Sequence, residues 1–523
     1  MTSLSEAQDE IAAAISNISE VVGFLFAVLT SKLGLVMLLF KSNVSPELTQ
    51  RSTPARIQRE SLSCLTALTE ENKTLCEKIV ALDSWLNDLV LIKDSHGFLA
   101  VTACGVLHNI FTSLQWFDHN TPKDGASDSM LIPILVSSIE QASQEAGTNG
   151  HEDSSPDEIL QLALEITASI ATSLQEALEH GSKYEKTFEG FDDKDEIKIN
   201  DDDKMDDDED LSDEQDQEED EDAEMNDDEI QEDMALVLGD GPDDDGGPLE
   251  EQTLDRLVRD AAPRVLILAL PSKTSSPEQD AVQLHALETL NNISWTVSSI
   301  DFTAGQLKGL QTFWSSLAEK IWNQVIRPVL ASNTADIELA SSISSLAWAI
   351  CRSLPGTIQP KADEQRKFMA LYQASKHLPS PEANVPKAGT DEEVDSFQGL
   401  GVKSIGVLGR LALHPAPVEL NREIGVFLIT VLAGIPDTPA ADAVEALNQI
   451  FDIYADKSYA FDGAVFWSNG FYEHLEGILP KAKKMAKGID KRKFGELRAR
   501  ADEAVLNLGR FLKYKRTEKN QKD

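Results

Sequence analysis

The residues nearest to a reactive pairing are Cys104 and His108 in "ACGVLHNI", four positions and therefore about one helical turn apart. A thiol beside an imidazole begins a nucleophile–base pair, but that chemistry also needs oxyanion donors and a group to orient the base. Neither stands near these two, so a packing helix is expected rather than a catalyst. Cys64, Cys76 and Cys351 lie in similar apolar contexts without C-x-x-C spacing. They read as small core hydrophobes of a reducing compartment. The nine histidines show no H-x-x-x-H or H-E-x-x-H spacing, and no glycine-rich strand-to-helix turn offers a nucleotide site. No catalytic residue, metal or cofactor is expected.

The chemistry the chain does spell out is electrostatic. Its formal charge of −44 over 523 residues is unevenly spread. Between Asp192 and Asp245 thirty acidic residues face three lysines, a net of −27, leaving −17 for everything else. Such a density extends by self-repulsion and attracts strongly basic partners: ribosomal proteins, histones or a basic patch of the same chain. Lys481–Asp523 carries fifteen Lys and Arg against six acids, net +9. Its cluster "KAKKMAKGIDKRK" (Lys481–Lys493) suits either a nuclear-import signal or phosphate-binding patch, or the solvated face of terminal helices.

Inside the acid stands "MNDDEIQEDMALVLGDGPDDDGG" (Met225–Gly247). At 100° per residue Ile230, Met234, Val237 and Leu238 fall within an arc of about 100°, an apolar stripe. Glu229, Glu232 and Asp233 lie outside it. Asn226, Asp227 or Asp228 can cap the start, and Gly239 supplies a stop. About ten residues are too few to hold a helix in water. Burying four such side chains gains roughly 6–12 kcal/mol at most, and ordering ten backbones costs on the order of 10 kcal/mol. The segment 229–238 is therefore expected to become helical on a partner with an apolar groove and positive charge. The plainer alternative is docking on its own chain.

The elements around this insertion are helical, without strand alternation. Periodicity predicts helices over Ala55–Glu70, Lys73–Leu91, Gly97–Leu114, Met130–Glu145 and Pro156–His180. They resume over Glu250–Leu270, Gln279–Ser299, Thr303–Leu330, Asp336–Leu354, Glu364–Lys376, Phe397–Leu413, Val418–Gly434, Ala440–Ala455, Phe466–Lys487 and Lys491–Lys515. The apolar run Val21–Phe40 is long enough to span a bilayer. Thr30, Ser31 and Lys32 interrupt its centre, so two short buried helices are expected instead.

"ACGVLHNI" (Ala103–Ile110), "ALETLNNI" (Ala286–Ile293) and "AVEALNQI" (Ala443–Ile450) share the pattern A-x-x-x-L-x-[NQ]-I. Recurring helical units of this kind suggest an α-solenoid of the armadillo or HEAT type. Asn109 and Asn292 occupy the polar slot, where an amide could clamp a peptide backbone by donating and accepting together. Trp116, Trp295 and Trp348 fall near the same helices and could stack on peptide side chains. The alternative roles are helix bracing for the asparagines and core packing for the tryptophans.

"ESLSCLTALTEENKTL", "AVTACGVLHNIFTSLQW", "ALETLNNISW", the insertion ending "DDEIQEDMALVLGDG" and the terminal "NLGRFLKYKRTEKN" together resemble the symportins, from about residue 55 onward. That family comprises fungal import adaptors for ribosomal proteins, related to an animal HEAT-repeat protein. The resemblance implies an all-α solenoid, armadillo-like over 51–182 and HEAT-like over 250–523, interrupted by a disordered acidic loop, 183–249. Residues 1–50 would be a remnant of a further repeat. It implies a monomeric chaperone, moving between cytoplasm and nucleus, for two basic large-subunit ribosomal proteins that bind 5S RNA. In the family the inner groove takes a terminal peptide of one and the loop helix, here 229–238, takes the RNA-binding surface of the other. No direct nucleic acid or membrane partner is implied. A histone chaperone or an import receptor for other basic cargo is the alternative. The family's proline–tyrosine signal for a transportin-type receptor has no counterpart here, so receptor engagement is the least expected element, with Lys481–Lys493 as a substitute.

Overall fold

The computed structural model describes residues 55–81, 83–122, 126–145, 155–184, 251–271, 277–302, 305, 307–332, 336–361, 363–377 and 396–522. The run Val21–Phe40 and the acidic segment, with its stripe at 229–238, lie outside them. Among the described residues every regular element is helical. The chain is an all-α solenoid. The described helices up to Glu179 and from Glu251 onward pack as one compact unit.

The helices are α1 (Ala55–Thr69), α2 (Lys73–Val80), α3 (Asp83–Lys93), α4 (Gly97–Leu114), α5 (Ile132–Glu145) and α6 (Pro156–Tyr184). Next come α7 (Glu251–Arg256), α8 (Ala262–Leu268), α9 (Pro277–Ser298), α10 (Lys308–Ile321), α11 (Arg327–Ser332) and α12 (Ile337–Ser353). The series ends with α13 (Glu364–Ser375), α14 (Leu400–Leu411), α15 (Val418–Ala433), α16 (Ala440–Tyr454), α17 (Phe471–Gly488) and α18 (Gly495–Lys522).

Local chemistry sets several of these boundaries. Asn72 caps α2 by accepting from the Leu75 N–H at 3.1 Å, and Asp336 caps α12 by accepting from Glu338 and Leu339. The sequence suggests one helix over Lys73–Leu91, but the structure has two. Asp83 and Ser84, which favour helix starts over interiors, open the second. The stretches Glu250–Leu270 and Thr303–Leu330 also read as continuous, yet each contains a π turn, at Leu257–Ala261 and Trp322–Ile326. Pro263 and Pro328 follow directly. Each lacks the N–H that an α-helix needs at that point, and the preceding turn widens.

One row of helices runs through the unit: α1, α4, α6, α9, α12, α14, α16 and α18. Direct packing joins α1 to α4, α9 to α12, α12 to α14, α14 to α16 and α16 to α18. Hydrogen bonds carry the row through α6, from His108 of α4 to Ser169 and from Thr289 and Thr296 of α9 to the Leu164 and Ala171 carbonyls. The remaining helices flank this inner row. Thus α2 and α3 pack on α4, α8 on α9, α13 on α14, α15 on α16 and α17 on α18. All three copies of the A-x-x-x-L-x-[NQ]-I pattern lie on inner-row helices. Their Ala103, Leu107, Ile110, Ala286, Leu290, Ile293, Ala443, Leu447 and Ile450 are buried. Helix α4 is long and apolar enough to cross a membrane by length and composition, but eleven of its residues are buried in this core.

Close spacing in the row depends on glycine. A Cβ at Gly406 of α14 would overlap the Trp348 ring on one side, and one at Gly409 would overlap Gln449 on the other. At the far end Lys515 of α18 is fully buried. It donates to Asp462 at 2.7 Å, lies 3.0 Å from Glu518, and sits over the Phe466 ring. This closed ion group fixes α18 to the π turn Asp462–Trp467 that precedes α17.

Candidate partner-binding face

The polar slot of the repeated pattern has a consistent direction. Asn109 donates through Nδ2 to the Thr66 carbonyl at 2.9 Å and to Thr69 Oγ1 at 3.3 Å, both on α1. Asn292 donates to Thr172 Oγ1 of α6 at 3.1 Å. Gln449 packs on Gly409 of α14 and donates to Glu445 of its own helix at 2.6 Å. In each case the slot turns toward the preceding inner helix. Both asparagines are half-buried, and their amide hydrogens brace neighbours.

In α4 the residue before the slot turns forward. His108 is buried on α4 and reaches Ser169 Oγ of α6 with Nε2 at 2.9 Å, while Nδ1 meets the Asp128 carboxylate at 3.0 Å. The order Ser–His–Asp matches a nucleophilic triad, but Ser169 lies within the long helix α6. Its neighbouring backbone N–H groups are committed to that helix, so no oxyanion donors stand beside it among the described residues. The group acts as a brace between α4, the Asp128–Met130 turn and α6. Cys104 is not part of it: burial pushes its thiol up to about 12, and burial likewise raises Cys76 and Cys351. These three are buried and Cys64 is half-buried, all of them free thiols. No group of potential metal ligands occurs among the described residues.

The tryptophans divide into two places. Trp295 and Trp348 meet edge to face at 5.3 Å across α9 and α12. The Trp295 N–H donates to Ser345 at 3.1 Å and Arg352 lies over its ring. Asn292 stands one turn before Trp295, so these three residues share one half-buried patch. Trp116 is elsewhere, stacked on Phe111 just beyond α4, near Asp128, Ser173 and Thr253. Asn109 lies with it at the α4 end of the row. In the basic cluster Lys481, Lys483, Lys484 and Lys487 are exposed while Ala482 and Ala486 face the core, as expected of a solvated helix face.

A hollow of about 450 Å³ between α16 and α18 has no counterpart among the residues singled out by the repeat pattern. Phe451 and Phe511 line it with ring centroids 5.3 Å apart, together with Asn448, Asp452, Ala455, Asn507, Arg510 and Tyr514. Asn448 is the residue before the slot in α16, the counterpart of His108. The available signal was therefore the pair "NQ", in which the first member, rather than the slot, faces outward. The register of α18 across the gap left no mark in the sequence.

Comparison with known proteins accords with this architecture. The profile of a family described as SYO1-like, TPR repeats matches residues 256–519. Symportin 1 of Chaetomium thermophilum is 44% identical over 481 residues, which is 88% of this chain and 70% of that protein. The armadillo repeat protein involved in nucleocytoplasmic transport Syo2, of Schizosaccharomyces pombe, is 31% identical over 48% of this chain and 34% of its own length. Synchronized import protein 1 of Saccharomyces cerevisiae is 26% identical over 44% of this chain and 34% of its own length. With a helical-repeat unit on both sides of an acidic insertion and these matches, the chain belongs to the symportin, or SYO1-like, family.

Proposed function

We propose that this protein is a non-enzymatic import adaptor and chaperone. It binds the two basic large-subunit ribosomal proteins of the 5S ribonucleoprotein, covers their RNA-binding surfaces and travels with them from cytoplasm to nucleus. The observation that carries this reading is the 44% identity to a symportin over most of the chain. The names of the two more distant relatives, one in nucleocytoplasmic transport and one in synchronized import, agree with it.

The residues supply a mechanism. A net charge of −27 over 54 positions draws a basic protein in and competes with RNA for it. Ile230, Met234, Val237 and Leu238 then add apolar contact as the segment orders, with Glu229, Glu232 and Asp233 facing the cargo's cations. On the solenoid, Asn292, Trp295 and Trp348 form the first surface for an extended cargo peptide. Asn109 and Trp116 contribute at the α4 end. The armadillo-like span 51–182 and the HEAT-like span 250–523 carry these two places. Receptor engagement of the transportin type falls to other parts of the chain or to Lys481–Lys493.

The test is binding of each purified ribosomal protein to the full chain as salt rises to about 1 M, where the screening length falls to about 3 Å. We expect an appreciable salt-resistant fraction for one of them, because apolar contact outlives screened charge. Binding that vanishes steeply, or equal affinity for histones, would favour a general polyanion shield.

A further inference from the structure

The hollow between α16 and α18 gathers polar groups that no neighbouring helix meets. By contrast the Asn109 and Asn292 amides donate to α1 and to Thr172 of α6, although the buried Asn291 Oδ1 of α9 and Gln449 Oε1 of α16 accept no hydrogen bond among the described residues. Asn448, Asn507 and Arg510 have no hydrogen-bond or ion-pair partner among the described residues, and all three line the hollow. Its other polar groups are engaged. Asp452 accepts from Arg410 at 3.0 Å, and the Tyr514 hydroxyl donates to Glu518 at 2.6 Å.

The two asparagines come one from each helix and line the hollow together with Phe451 and Phe511. On α16 and its C-cap, Asn448, Phe451, Asp452 and Ala455 share one face by their i, i+3, i+4, i+7 spacing. On α18, Asn507, Arg510, Phe511 and Tyr514 repeat it. An asparagine amide donates and accepts at once, which matches the alternating N–H and C=O of an extended main chain. An aromatic pair beside two such amides suits one apolar side chain. Arg510 adds an uncompensated cation at the rim, and its fork geometry favours a carboxylate.

We propose that this hollow is a docking site for an extended peptide in trans. An aromatic or long aliphatic side chain of that peptide lies on Phe451 and Phe511. Its main chain is read by Asn448 and Asn507, and a neighbouring Asp or Glu pairs with Arg510. The preference for an acidic segment sets this partner apart from the basic cargo of the acidic loop. The site does not depend on that reading.

A random peptide library displayed on phage and selected on the full-length chain supplies the probe. We expect enriched peptides with an apolar residue beside Asp or Glu. Asn448→Ala with Asn507→Ala should weaken them about tenfold while leaving the melting temperature unchanged. Methylating the peptide's main-chain nitrogen beside the apolar residue should weaken binding similarly. Arg510→Glu should reduce binding, with recovery when the peptide's acid is changed to lysine. Failure to enrich, enrichment of basic or helical peptides, equal affinity for the double variant, or indifference to nitrogen methylation would each overturn the proposal.

Discussion

Two stretches of the inner row use the same residue type in opposite ways. Between α1 and α9 two asparagines hold helices together, Asn109 on the Thr66 carbonyl and Asn292 on Thr172. Between α16 and α18, Asn448 and Asn507 meet no partner among the described residues and border a hollow. The difference comes from direction along the row. The slot residue looks back to a helix already in contact, whereas at α4 and α16 the residue before it looks forward. At α4 the forward residue is His108, and α6 supplies Ser169 to meet it. At α16 the forward residue is Asn448, and α18 leaves space instead. Where the next helix fails to reach it, an asparagine of the row is left open, as Asn448 is.

That contrast is open to direct attack, starting with the largest effect. Asp462→Ala should destabilise the chain by about 3–5 kcal/mol, because it strips a fully buried Lys515 of its shortest partner. Chemical denaturation would read it, and a small change would mean that α18 is not held as described. Gly406→Ala, read the same way, should cost about 1–3 kcal/mol, since the new methyl meets the Trp348 ring. Next comes the asparagine pair itself. Asn109→Ala should lower stability by about 1 kcal/mol, and Asn448→Ala should stay within about 0.5 kcal/mol. Equal losses at both positions would erase the distinction between brace and open wall.

The smallest expected effect is a pH signature. Burial raises the Glu445 carboxyl above its ordinary range, although the Gln449 amide opposes the shift. A raised folded-state value means that the neutral acid is the favoured folded form. Its contribution is complete below the unfolded value and is lost as pH rises through the folded one. Glu445→Gln should therefore raise the melting temperature near neutral pH and gain nothing under acid conditions. A gain independent of pH would point to packing instead.

Much of the fold was legible because helical period and breaker residues act locally. The helices around the three A-x-x-x-L-x-[NQ]-I copies fall where their apolar spacing puts them, and all lie on the inner row. The breaks at the two π turns were not read, although Pro263 and Pro328 mark them. A proline inside an apolar period signals a disturbance but not whether the helix bends, widens or stops. Side-chain partners were less legible still. The one-turn spacing of Cys104 and His108 says nothing of Asp128 or Ser169, which reach the ring from 20 and 61 residues away. Trp295 and Trp348 meet only because α9 and α12 are neighbours. Asn448 went unmarked because its slot neighbour, Gln449, fitted the pattern better.

The acidic insertion poses the opposite problem, since its chemistry is plain in the sequence and the action proposed for it depends on a guest. The most direct measurement is the affinity of the full chain for the purified pair of 5S-linked ribosomal proteins, before and after Met234→Asp with Leu238→Asp. We expect one protein of the pair to lose nearly all affinity while the melting temperature holds, because two aspartates break the stripe and alter no residue of the solenoid helices. An affinity unchanged within about twofold, for both proteins, would contradict the central role given to that short amphipathic segment.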